Sequence, residues 1–233
     1  MKKRLVVLTG AGISAESGLQ VFRGSGGMWN DYDVSVVASI DGWHSDPALV
    51  QEFYNQRRAE LEKAEPNAAH KILAELESDF DVQIITQNVD NLHERAGSTK
   101  VLHLHGELTK ARSSINPDEI CEIGYRPIEH GEKSNDGTIL RPNIVWFGED
   151  VPMIYPAANL AKTADILLIV GTSLNVYPAA SLLVYARRDV PIYLIDPNEV
   201  TYAEDRDITF IREKATVGME QVRELLLRKF FEN

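Results

Sequence analysis

Four short apolar runs punctuate the chain, at residues 5–9, 82–86, 165–170 and 191–195. Each is rich in Val, Ile or Leu and lacks the alternation of a half-exposed strand. Each gives way to a Gly, Asn or Asp turn, the pattern of strands buried on both faces of a parallel sheet. Residues 101–105 and 143–147 are further strand candidates, and 208–211 suits an edge strand. Helical patterns lie between them, among others at 47–64, 67–77, 157–162, 179–187 and 217–231. Strands alternating with helices predict an α/β fold with a doubly wound, Rossmann-like parallel sheet.

The first crossover breaks that rhythm. About sixty residues separate the first strand from the next strong one, far more than a βαβ connection uses. That stretch holds the Gly-rich segment Gly24-Ser25-Gly26-Gly27 and two helical patterns. Residues 108–140 form a second excursion, polar and punctuated by Gly and Pro. The expected organisation is therefore a large sheet domain from residues 1–20, 80–107 and 141–233. Residues 21–79 and 108–140 would pack as a small helical and irregular domain across a cleft.

Composition changes the picture little: 233 residues, 44% hydrophobic and 25% charged, are ordinary for a globular chain. The net charge of -11 argues against nucleic acid, which calls for a basic face, and suits basic partners such as lysine-rich protein segments. Met1-Lys2-Lys3-Arg4 and the apolar residues after it imitate a signal peptide, but the run stops at Thr9-Gly10, too short for one. No run reaches membrane-spanning length. A monomer in the cytoplasm is the expectation, and a single cysteine, Cys121, excludes an internal disulfide.

Candidate chemistry begins where the first strand ends, at Thr9-Gly10-Ala11-Gly12-Ile13-Ser14. Glycines there let a backbone approach a pyrophosphate, and the amides of a following helix can receive it. The pattern departs from a regular GxGxxG because Ala15 stands at the third glycine. The acidic residue of a dehydrogenase is missing too, since residues 21–27 read as a loop. Alone, such a turn serves tight strand–helix packing just as well.

Read together, five segments resemble the sirtuin family in its own order. They are Gly10 to Gly18 with Phe22-Arg23-Gly24, then Thr86-Gln87-Asn88-Val89-Asp90, then His105-Gly106. Arg141-Pro142 with Val145-Trp146-Phe147-Gly148-Glu149 comes next, and Gly171-Thr172-Ser173 last. Sirtuins use NAD to remove acyl groups from protein lysines. They break the nicotinamide–ribose bond and pass ADP-ribose to the acyl oxygen, a weak nucleophile that has to be held in near-attack geometry.

By this resemblance Asn88 and Asp90 line a nicotinamide pocket with Ile13 beside it, and Gln87 meets the ribose. His105 is the general base, a neutral imidazole drawing a proton from a ribose hydroxyl. His103 and His105 alternate along a strand, a spacing also used for metal ligands, and His103 is read as structural. Phe22 and Arg23 would cover the cofactor, and Gly10, Ala11, Gly12, Ser14, Gly171, Thr172 and Ser173 would surround its phosphates. Asp196 would accept hydrogen bonds from the adenosine ribose although the family commonly has Asn there. Lys214-Ala215 would lie near adenine. Val145, Phe147, Gly148 and Glu149 would run beside a substrate peptide as an added strand.

Two departures stand out. Sirtuins commonly hold a structural zinc with four cysteines, whereas this chain has Cys121 alone, so no zinc is expected. Tyr54 and Arg57, three apart on one helix face, resemble the pair with which desuccinylases and demalonylases read an acyl carboxylate. A guanidinium matches a carboxylate with two prongs. Two other outcomes keep the same fold. One is an NAD glycohydrolase or ADP-ribosyltransferase, and the other a non-catalytic NAD-binding sensor.

Overall fold

A computed structural model describes residues 2–21, 32–174, 177, 179–200 and 206–231. Nine strands are seen among them: β1 (Arg4–Thr9), β2 (Asp81–Thr86), β3 (Val101–His103), β4 (Gly106–Ser113), β5 (Ile120–Glu122), β6 (Leu140–Ile144), β7 (Ile166–Val170), β8 (Ile192–Ile195) and β9 (Ile208–Ile211). The helices among the described residues are α1 (Val34–Val37), α2 (Ile40–Ser45), α3 (Pro47–Lys63), α4 (Ala68–Glu75), α5 (Leu92–Ala96), α6 (Ile154–Lys162), α7 (Leu182–Tyr185) and α8 (Ala215–Phe231). None of them is long and apolar enough to cross a membrane.

Six strands lie parallel in the order β3-β2-β1-β7-β8-β9, with β9 at the edge as expected. Counting only these strands, the chain runs outward from β1 in one direction and then outward from β7 in the other. That reversal makes the β1/β7 border a topological switch point. Alternation divides each strand between two cores. Leu5 and Val7 of β1 join the cluster built with α4 and α8. Val6 and Leu8 join the one built with α6 and α7. Burying each such side chain stabilises the fold by about 1.5–3 kcal/mol.

The second sheet is antiparallel, in the order β5-β4-β6. This corrects the expectation for residues 143–147. That strand begins earlier, at Leu140, and pairs with β4 rather than joining the parallel sheet. An apolar run signals a strand but carries no record of which strand it will pair with. The smaller sheet consequently takes strands from both sides of the expected boundaries at 107/108 and 140/141.

The switch between sheets occurs at Gly106. Its φ is +81°, and a Cβ there would lie 1.9 Å from the Asn143 carbonyl oxygen, so only glycine permits the turn. Beside it, α1, α2 and α3 pack a third cluster against Leu108, Ile144 and Trp146. α3 starts with Asp46 accepting a hydrogen bond from the Leu49 amide and Pro47 in the first turn. α4 starts with Asn67, which caps Ala69 and also donates to the Ile13 carbonyl.

Leu168 sits fully buried at the middle of β7. Leu168→Ala is expected to cost about 3 kcal/mol through lost burial and the cavity left behind. Thermal unfolding should show this as a melting temperature lower by roughly 10 °C.

Candidate active site

Two loops meet where β1 and β7 end. The Gly10 amide donates to the Val170 carbonyl at 3.0 Å and the Gly12 amide to the Gly171 carbonyl at 2.9 Å. A Cβ on Gly12 would lie 2.6 Å from Gly171 Cα, so the approach depends on glycine at both places. The expected helix after the motif is replaced by two single turns of 3-10 helix, Ala11–Ile13 and Ala15–Ser17. The chain turns too sharply at Gly18, with φ +87°, for a longer helix to grow. Glu16 reaches instead to α8, where its carboxylate accepts from the Thr216 amide at 3.0 Å and hydroxyl at 2.9 Å.

Above these loops opens a cavity of about 840 Å³. Gly10, Ala11, Gly12, Ser14, Gln87, Asn88, Asp90, His105, Gly171, Thr172, Ser173, Asp196, Lys214 and Ala215 border it, and so do Tyr54, Arg57, Val145, Phe147, Gly148 and Glu149. Ile13 does not border it. Its side chain is fully buried in the core with Val7 and Leu73. The turn presents Gly12 backbone and the Ser14 side chain to the cavity while Ile13 packs toward the sheet. Phe22 and Arg23 lie outside the described residues.

The floor is a polar network. Asn88 Nδ2 donates to the Gly10 carbonyl at 3.1 Å and to Ser14 Oγ at 3.2 Å, and Ser14 Oγ donates to Asp90 Oδ2 at 2.9 Å. Asn88 Oδ1 is buried and has no hydrogen-bond partner among the described residues. Burial raises the Asp90 carboxyl above its ordinary pKa, even though the Leu92 amide and Ser14 both donate to it. Gln87 Nε2 donates to Thr172 Oγ1 at 3.1 Å, tying the β2 loop to the β7 loop.

The two strand histidines separate by their partners. His105 Nδ1 lies 3.0 Å from the Gln87 carbonyl. A carbonyl only accepts, so Nδ1 carries the proton and Nε2 keeps its lone pair. Burial lowers the His105 pKa, with the Gln87 bond opposing. His103 has both ring nitrogens engaged, Nδ1 at 3.1 Å from the Asn88 carbonyl and Nε2 at 2.9 Å from Glu94. Burial works against its charge, but Glu94, Glu107 and the Asn88 carbonyl together outweigh burial and raise its pKa. Among the described residues no cluster of His, Cys, Asp and Glu is arranged to hold a metal ion, and Cys121 is exposed.

On the far wall, Tyr54 is buried and its oxygen accepts from Trp146 Nε1 at 2.9 Å. Its own O–H therefore remains a donor, and burial raises its pKa, keeping it protonated. Arg57 packs its guanidinium over Phe53, 5.5 Å from the ring centre, and donates to Gln20 and Glu60. Glu149 is already engaged with Arg141, Arg112 and the Trp146 amide. Burial would raise its pKa, yet Arg141 holds it below the ordinary carboxylate value. The Phe147 amide and carbonyl pair with Ala38 and Ile40, so its exposed ring is what it offers to the cavity.

With that geometry in place, similarity to known proteins decides the family. The Sir2 family model matches residues 10–178. The chain belongs to the Sir2 family. A relative from Bacteroides thetaiotaomicron, called NAD-dependent protein deacylase, is 54% identical over 97% of this chain and 98% of its own. One of the same name from Aquifex aeolicus is 40% identical over 97% of this chain and 96% of its own. Among solved structures, a Sir2 homologue in complex with NAD superposes with a TM-score of 0.87 at 38% identity, covering 98% of this chain and 91% of that one. A Sir2 complex with a p53 peptide and NAD gives 0.80 at 30% identity, covering 96% and 93%.

Two groups in this Sir2-family chain escape sequence reasoning. His70 of α4 and His93 of α5 meet edge to face beneath the floor with ring centres 5.0 Å apart, reaching Ser14 at 3.4 Å and Thr9 at 3.0 Å. Each is a lone histidine in a helical pattern, and nothing local marks it. Burial lowers the His70 pKa to about 4 and the His93 pKa well below its ordinary value.

Unfolded, both histidines take up protons near 6.5. Folded, His70 resists until about 4. Its contribution is therefore full above pH 6.5 and lost as pH falls through the interval to 4, on the order of 3 kcal/mol for His70. Urea midpoints measured across that interval should fall more steeply for the natural protein than for His70→Gln, and parallel slopes would count against the assignment.

Proposed function

We propose that the chain is an NAD-dependent protein lysine deacylase that accepts acetyl-lysine and acyl groups ending in a carboxylate, succinyl and malonyl. Nicotinamide and O-acyl-ADP-ribose are its products and acyl-lysine protein segments its partners. The observation that carries this reading is the His105 ring. Its Nδ1 proton is fixed on the Gln87 carbonyl, leaving an Nε2 base in the same cavity as Asn88, Asp90, Tyr54 and Arg57.

The residues present fit NAD. The unpartnered Asn88 Oδ1 suits the N–H of a carboxamide, and glycine backbone at Gly10, Gly12 and Gly171 leaves room for a diphosphate. NAD, as a substrate, supplies the ADP-ribosyl group that the acyl oxygen captures. His105 would take a ribose hydroxyl proton at Nε2, and a depressed pKa keeps it ready at neutral pH. Asp196, holding the Asn198 amide at 2.9 Å, would meet the other ribose. Tyr54 and Arg57 would read an acyl carboxylate, a neutral donor beside a cation.

The test is nicotinamide release from NAD with one lysine peptide in acetylated, succinylated and unmodified forms. Multiple-turnover release is expected with both acyl peptides, and in His105→Ala it should stop at no more than one equivalent per enzyme, because the base acts after nicotinamide has left. Arg57→Met should lower the succinyl-to-acetyl ratio of kcat/KM by roughly 30-fold, the worth of a charge-assisted pair. Release without any acylated peptide would move the assignment to NAD hydrolysis, and binding of NAD without release would leave the sensor. The acidic limb of kcat/KM against pH should fall below the ordinary histidine value of about 6.5, because a lowered pKa delays protonation to more acidic solution. A limb above it would exclude His105 as the base.

A further inference from the structure

Arg57 does not face the cavity as a free cation. Its Nη2 donates to Glu60 Oε1 at 2.5 Å, one turn along α3, and its Nη1 donates to Gln20 Oε1 at 3.2 Å. Glu60 borders the same cavity as Tyr54 and Arg57. The guanidinium that would take an acyl carboxylate is thus already paired with a carboxylate of the chain.

Glu60 is not what keeps Arg57 in place. The Arg57 side chain is 12% exposed and lies over the rings of Phe53 and Tyr32, 5.5 and 6.0 Å from their centres. Gln20 fixes one arm from another part of the chain. Glu60, in contrast, is 48% exposed and contributes only its charge and one acceptor. Two carboxylates cannot share Nη2 without repulsion, and a paired guanidinium attracts an anion far less than a free one does.

We propose that Glu60 is a specificity-determining residue that acts as an internal competitor for Arg57. It weakens binding of acyl groups ending in a carboxylate while leaving neutral acyl groups without a rival. This rests on the reading of Arg57 as the acyl-carboxylate reader. A succinyl group has to displace Glu60 toward solvent before it can engage both prongs of the guanidinium. An acetyl group is too short and uncharged to require it. Competition of this kind acts on ground-state binding, so it belongs in KM rather than kcat.

The experiment measures kcat and KM for acetyl-, succinyl- and succinamyl-lysine peptides with the natural protein, Glu60→Gln, Arg57→Met and the double variant. Succinamyl has nearly the length of succinyl without its charge. Glu60→Gln keeps an acceptor for Arg57 while removing the negative charge. It is expected to raise the succinyl-to-succinamyl ratio of kcat/KM by about three- to tenfold, the range of a partly exposed ion pair with added like-charge repulsion. The change should lie mostly in the KM for succinyl peptide and vanish in the Arg57→Met background.

A ratio unchanged or lowered in Glu60→Gln, with Arg57→Met still impairing succinyl turnover selectively, would overturn the competitor role and leave Arg57 as reader. A lowered ratio would mean that Glu60 positions Arg57 instead. Succinyl turnover untouched by Arg57→Met would overturn both.

Discussion

At the carboxyl ends of β1 and β7, two loops touch through backbone alone. The Gly12 amide meets the Gly171 carbonyl, and neither residue could carry a Cβ without driving it into the other loop. This contact closes the switch point of the parallel sheet, and everything on the cavity floor hangs from it. Asn88 Nδ2 is aimed by the Gly10 carbonyl, Ser14 by Asn88 and Asp90, and Gln87 by Thr172. A side chain inserted between the loops would not merely crowd the site. It would detach the β2 loop from the surface that orients it.

The network above this contact keeps its charges few. Burial raises the Asp90 pKa and lowers those of His70 and His93, so both imidazoles beneath the floor favour their neutral forms. His105 keeps one nitrogen on a carbonyl and the other without a partner among the described residues, while His103, two residues earlier, spends both. The two rings donate to adjacent carbonyls of one loop, Gln87 and Asn88. What separates them is carboxylate company, since Glu94 reaches His103 at 2.9 Å with Glu107 at 4.0 Å. The far wall is charged by comparison. Arg57 meets Glu60 and Gln20, and Arg141 locks Glu149 beneath the 145–149 segment.

Much of this is legible in the order of residue types along the chain. The parallel strands announce themselves because burial on both faces leaves no polar alternation. The edge strand at 208–211 is recognisable for the complementary reason. The glycines at 10, 12 and 171 stand out because a close backbone approach leaves few other choices. Three features need the third dimension. Residues 140–144 join the smaller sheet, Ile13 turns into the core, and no α-helix follows the glycine turn. Each concerns direction or partner, which a run of residue types does not encode.

The sheet, the family resemblance and the residue types around the cavity are written into the order of residues, because backbone sterics and burial periodicity act between near neighbours. Which groups are already occupied emerges only once the chain is folded. Phe147 spends its backbone on residues 38 and 40, Glu149 its carboxylate on Arg141, and Arg57 its guanidinium on Gln20 and Glu60. His70 and His93, remote from the motifs in sequence, become the underside of the site. Hydrogen bonds and ion pairs reach about 3 Å through space, and the partners that satisfy a functional residue lie wherever folding brings them within that distance.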